Sequence, residues 1–224
     1  MALEHTSEPV VGWRVWNLWD SAEGPVLLPA GSGSDAWPWR RALEARCTVP
    51  RLLTGSRVRH EAPDVDCRCG VYASASLDVV TREWPAWPSP PVVGRVALWG
   101  RTIAHERGWR ARFAYPVRLR LVCIVCAWIE PGPGEPVVVH EFVDRLYTLC
   151  GEHAGGIEVP GGRRTSPTGI DPRVLQSRLL EAYAVDLLPA EPLEPLYRRP
   201  AAAAMPGYFP SVRLVPPDAG AGPP

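Results

Sequence analysis

Apolar and polar positions alternate along most of this chain with the two-residue period of a strand, and only one stretch follows the period of a helix. Residues 11–19, VGWRVWNLW, place Trp or Val at every second or third position and predict a half-buried strand. A Gly/Ser/Pro-rich loop, AGSGSDAWPW, follows, and then a short segment, ALEARC, that delivers Cys47. The long run VGRVALWGRTIAHERGWRARFAYPVRLRLVC has the β-branched and aromatic content of two or three strands. Its turn is predicted at Glu106-Arg107-Gly108. A second hairpin is predicted in AWIEPGPGEPVVVHEFV, with PGPGEP as the turn.

The helical stretch is 171–188, DPRVLQSRLLEAYAVDLL. Asp171 can cap it, Pro172 suits its first turn, and Leu175, Leu179, Tyr183 and Leu187 recur four residues apart on one face. Beyond Pro189 the pattern ends: 10 of the last 36 residues are proline, interspersed with alanine and glycine. Residues 189–224 are therefore expected to be a disordered tail, and residues 1–10 a disordered N-terminus. Between them, residues 11–188 read as an α+β domain, β-rich, made of antiparallel hairpins with one C-terminal helix.

Composition narrows the functional classes. The 24 basic and 24 acidic residues cancel, so no global charge recommends nucleic acid or an anionic membrane. Every basic side chain is arginine; lysine is absent, a bias of high-GC coding. The first residues, MALEHTSEPVVGW, contain neither a basic n-region nor an apolar core, and no apolar run approaches 18 residues, so a soluble cytoplasmic protein is the expectation. In that compartment six cysteines are better suited to metal ligation than to structural disulfides.

Their spacing agrees. Cys123-Ile-Val-Cys126 is followed after 23 residues by Cys150-Gly-Glu-His153. A CxxC pair brings two thiolates to one ion from a single turn, and a CxxH pair returning across a hairpin completes the tetrahedral set that structural Zn²⁺ takes. Residues 118–156 thus read as a zinc-ribbon-like element. The competing reading is three buried core cysteines and an unrelated histidine. A second set is assembled from Cys67 and Cys69 in HEAPDVDCRCGVYA. A disulfide within a CxC would be strained, whereas both thiolates can share a metal, with Gly70 letting the backbone fold back and Cys47 and His60 completing the set. The alternative is a pair of ordinary thiols beside a surface histidine. His140 lies in an apolar run and reads as a sheet histidine satisfied by neighbours.

A catalytic zinc needs an open coordination position and a neighbouring acid/base. Glu61 beside His60 and Glu152 beside His153 are the candidate carboxylates, but both sets reach four ligands without water. HExxH, GxSxG, P-loop, GxGxxG and the deaminase H-x-E…P-C-x-x-C are all absent. Residues 95–120 carry seven arginines against one acid, with Trp99, Trp109, Phe113 and Tyr115 interleaved. Arg101, Arg107, Arg110 and Arg112 are the candidate nucleic-acid contacts there; the competing reading makes them the solvated face of strands. Of the ten tryptophans, Trp13, Trp16, Trp99 and Trp109 fall at core positions, while Trp37, Trp39, Trp84 and Trp87 are proline-flanked loop residues.

The blocks GWRVW, HEAPDVDCRCGVYA and VVGRVALWGRTIAHERGWRARFAYPVRL resemble a group of uncharacterised high-GC bacterial and phage-associated proteins. That group carries CxCG(I/V)YA followed by GRVxLWGRV…HExG(W/Y)RA. The resemblance spans residues 11–188 and implies no particular activity. The functional expectation is a zinc-stabilised binding, adaptor or regulatory module with a protein or nucleic-acid partner. A zinc-dependent enzyme and a thiol redox sensor using Cys67 and Cys69 are the competing classes.

Overall fold

A computed structural model of the chain describes residues 2–30, 36–47, 60–83, 90–132, 134–159, 162–198 and 213–214. The architecture is β-rich and almost wholly antiparallel. Its frame is three long strands: β1 (Ala2–Ser21), β5 (Val92–His105) and β6 (Gly108–Leu121). β5 pairs with β1 along one edge and with β6 along the other. β1 continues into a hairpin with β2 (Gly24–Pro29), and the short strands β3 (Leu43–Glu44) and β4 (Val71–Ser74) both dock on the free edge of β6. β4 also meets β1, with Ser74 opposite Trp13, which closes β1, β5, β6 and β4 into a ring of pairings. Residues 77–83 form α1 (Leu77–Glu83).

β6 runs directly into α2 (Ile124–Trp128), and a hairpin of β7 (Val138–Phe142) and β8 (Arg145–Leu149) follows. A small second sheet combines β9 (Ile157–Val159), β10 (Arg163–Arg164) and β13 (Arg213–Leu214), while β11 (Ser166–Pro167) extends the first sheet beside β7. Before β13 the chain forms α3 (Pro172–Tyr183), β12 (Asp186–Leu187) and α4 (Glu194–Arg198). Among the described residues no helix is long and apolar enough to cross a membrane.

Both faces of the long strands are covered, which explains why 11–19 is not a clean apolar/polar alternation. Trp13, Val15 and Val93 pack with α1, α2 and α4 on one side. Trp16, Leu18, Leu98 and Leu119 pack on the other with Leu175, Leu179 and Tyr183 of α3. Trp37 is a core residue, edge-on to Trp16 at 5.4 Å between ring centroids, and its carbonyl accepts from the Tyr183 hydroxyl. Trp99 and Trp109 are only half-buried. Trp84 and Trp87, and residues 31–35 of the first loop, lie outside the described residues.

Several expectations are corrected. The turn of the first long hairpin does fall at Glu106-Arg107. The second hairpin, however, does not turn at PGPGEP. It is the β7–β8 pair, and Val143 and Asp144, both at positive φ, make its turn. The helix stops at Tyr183 because Ala184 adopts the left-handed conformation, and the Ala184 and Val185 N–H groups cap the carbonyls of Glu181 and Leu180. Leu187, the expected fourth residue of the apolar stripe, is exposed and lies in β12, parallel to β6. Residues 2–10 belong to β1 rather than to a disordered N-terminus, because β5 pairs with residues 2–6 and again from Val10 onward. Nor does the folded part end at Leu188: Leu193 and Leu196 are fully buried against α2 and α1. Apart from Arg213 and Leu214, the tail beyond Arg198 lies outside the described residues.

Candidate metal centres

The structure gathers the eight sequence-predicted ligands into two groups, Cys123/Cys126/Cys150/His153 and Cys47/His60/Cys67/Cys69. Within each group the donor atoms all lie within 4.8 Å of one another. All six cysteines are free thiols.

The first centre is built at the junction of β6, α2 and β8. Cys123 caps α2, Cys126 lies within its single turn, and Cys150 and His153 sit at the end of β8 and in the 3₁₀ turn that follows. Cys126 Sγ and Cys150 Sγ are 3.7 Å apart, and His153 Nδ1 is 3.6 Å from both Cys123 Sγ and Cys126 Sγ. A tetrahedral ion with metal–sulfur bonds of about 2.3 Å and metal–nitrogen bonds of about 2.0 Å has edges of about 3.8 Å (S–S) and 3.5 Å (S–N). Those three distances are such edges, whereas a disulfide needs about 2.05 Å between sulfurs. The fourth, Cys150 Sγ to His153 Nδ1, is shorter at 3.1 Å.

Backbone donors converge on these sulfurs. The N–H groups of Cys126 and Cys150 point at Cys123 Sγ, that of Gly134 at Cys126 Sγ, and that of His153 at Cys150 Sγ. The Cys126 thiol donating to it, and His153 beside it, draw Cys123 well below the usual thiol range. Hydrogen bonding to Cys123 pushes the Cys126 thiol up, burial raises Cys150, and His153 is raised by its bond to Cys123. Buried N–H groups aimed at sulfur favour the thiolate form that a metal ion takes.

Gly134 was not among the expected site residues, yet it closes this centre. A Cβ there would stand 2.5 Å from Cys150 Sγ and 3.0 Å from Cys126 Sγ. The chain at Gly134 therefore covers the centre, and the repeated glycines of its segment were the sequence signal of it. His140 is not a ligand. It is buried in β7 with Nδ1 3.0 Å from Thr165 Oγ1 and Nε2 3.1 Å from the Ala154 carbonyl, the satisfied sheet histidine expected.

The second centre lies where β3 and β4 dock side by side on β6. Cys47 follows β3, whose Ala45 N–H bonds the Arg112 carbonyl, and Cys67 and Cys69 precede β4. Cys47 Sγ and Cys67 Sγ are 3.7 Å apart, again a tetrahedral S–S edge, and His60 Nε2 is 3.2 Å from Cys69 Sγ. Gly70 has φ +124°, which turns the chain from the CxC into β4. Burial works to raise the Cys67 thiol, but the N–H groups of Cys69 and Arg68 and the Cys47 thiol outweigh it and hold Cys67 low. Burial pushes Cys69 up to about 11. The two centres differ in exposure. All four ligands of the first are at most 9% exposed, whereas in the second only Cys69 is buried.

The candidate nucleic-acid arginines do not form one free face. Arg101 approaches Asp64 at 4.0 Å, and Arg112 pairs with Glu44 at 2.9 Å and Glu61 at 3.5 Å while lying over the Phe113 ring. Arg107 is exposed at the hairpin tip. Arg110 is 5% exposed, and its guanidinium donates to the carbonyls of Cys67 and Cys69. Glu61 is thus engaged with Arg112, and Glu152 is exposed beside the buried His153.

No known protein family, curated protein or solved structure matches this chain. The donor sets stand on their own geometry: each can hold one metal ion.

Proposed function

We propose that each centre holds one structural Zn²⁺, the first within a zinc-ribbon-like element, and that the protein is a zinc-stabilised binding or adaptor module. The observation that carries this reading is ligand saturation. Each group offers three sulfurs and one imidazole nitrogen within 4.8 Å of one another, the closed set of a structural rather than a catalytic zinc. Soft thiolate donors with one imidazole select zinc over the hard cations Mg²⁺ and Ca²⁺. Support for binding comes from an open groove of about 460 Å³ beside the second centre, lined by Val65, Cys67, Arg68, Tyr72 and Arg107 among others. Val65 and Tyr72 expose apolar surface at its rim.

Elemental analysis of protein purified under reducing conditions is expected to give two zinc ions per chain. C123S should lower that to one by emptying the first centre. Structural zinc in small modules contributes on the order of 10 kcal/mol, so chelation is expected to unfold or loosen the domain. Metal-free protein of unchanged thermal stability would overturn the structural role, and an exchangeable water on the metal would favour a zinc enzyme instead.

A further inference from the structure

Arg110 lies on β6 opposite Tyr72 of β4, and its side chain passes beneath the CxC loop instead of into solvent. A guanidinium removed from water carries a large desolvation penalty unless its donors are satisfied and an opposite charge is near. Here its Nη1 donates to the Cys67 carbonyl and, at 3.2 Å, to the Cys69 carbonyl. Gly70 lets the loop backbone come close to the stem, since a Cβ there would stand 3.2 Å from Arg110 Cβ.

Those carbonyls belong to the peptides that shape the ligand loop. In a planar trans peptide the C=O and N–H point in opposite directions. Drawing the Cys67 carbonyl toward Arg110 therefore aims the N–H of Arg68 away from it, and that N–H bonds Cys67 Sγ. The N–H of Cys69 bonds the same sulfur. Arginine on one side and sulfur on the other thus fix the plane between the two cysteines. Charge agrees as well: three thiolates and a neutral imidazole around Zn²⁺ sum to −1, which the buried guanidinium balances.

We propose that Arg110 is the positioning residue of the second centre, holding the Cys67–Cys69 loop in its ligating shape and slowing loss of the metal from a half-exposed site. The proposal rests on the reading of that centre as a zinc site. It also gives the most deeply buried arginine of the basic stretch a role other than contact with nucleic acid.

The test follows zinc release from the full chain, loaded with two equivalents, into excess of the chromogenic chelator pyridylazoresorcinol. Two phases of one equivalent each are expected, the slower one lost in C123S. Arg110→Gln should accelerate the faster phase about 10- to 100-fold, the usual effect of removing a residue that orients metal ligands, and leave the slower phase unchanged. Arg110→Lys, which keeps the charge but not the forked donor, should fall between. Arg118→Gln, removing the same charge from an exposed position of the same strand, should change neither phase. If Arg110→Gln does not fold, Arg110→Lys decides alone. Unchanged release in the Arg110 variants, or equal acceleration of both phases, would overturn the positioning role while leaving two zinc sites standing. A wild-type chain that releases one equivalent would overturn the second centre itself and this role with it.

Discussion

At the residue scale the first centre depends on a position with no donor atom. Gly134 brings a backbone N–H to Cys126 Sγ from a distance that no side chain would permit. Gly134→Ala would place a methyl group 2.5 Å from Cys150 Sγ, so either the loop lifts or the sulfur moves. Overpacking of this kind costs about 1–3 kcal/mol, and here it should also weaken zinc binding at the first centre. Gly132→Ala meets Cys126 Sγ at 3.5 Å, an ordinary contact, and is expected to be tolerated. Parallel thermal melts and zinc titrations of the two variants check this; equal behaviour would contradict it. The ligands themselves were legible because metal chemistry fixes both residue type and spacing. Gly134 and Arg110 were not. A glycine in a proline-rich run reads as a turn, and an arginine in an alternating strand reads as solvated, when each is determined by residues it meets only in the fold.

At the element scale the frame was legible wherever periodicity was long. The strand at 11–19, the hairpin about residues 106–108 and the helix from Pro172 all follow from local pattern, and Asp171 does cap that helix by accepting from the Arg173 N–H. The ends were hidden because partners, not propensity, set them. Residues 2–10 are strand only because β5 lies beside them, and the helix ends in a left-handed alanine where a glycine would have signalled the stop. The proline-rich composition after Pro189 likewise concealed Leu193 and Leu196, which fill the core beside α2. Because Leu196 is fully buried, Leu196→Ala is expected to destabilise the protein by about 2–5 kcal/mol, measured by urea denaturation. A change below about 0.5 kcal/mol, typical of a surface site, would mean that α4 is not docked.

At the scale of the molecule, His140 joins the two sheets. The Ile157 N–H donates to Thr165 Oγ1, that hydroxyl faces His140 Nδ1, and His140 Nε2 faces the carbonyl after His153. This network holds a neutral ring, with the proton on Nε2. Burial lowers the His140 pKa below the ordinary 6.5. The unfolded chain therefore takes up this proton first as pH falls, so the contribution of His140 is complete above about pH 6.5 and is lost below it. An NMR titration should find the His140 ring neutral at a pH where an exposed histidine is already half-protonated; titration at or above 6.5 would contradict the network.

The same strand serves both centres, and this determines how they fill. From Arg110, under the CxC loop, to Cys123 the chain runs thirteen residue steps, most of them along extended β6. At about 3.3 Å each that is on the order of 40 Å of contour, so the two donor sets sit toward opposite ends of one strand. If zinc fills both sets, loss of the ion from one should therefore reach the other only as far as it loosens the strand they share. Stepwise zinc titration of C123S beside the wild type reads this: an unchanged affinity at the second set would mean that β6 holds its shape with the first set empty.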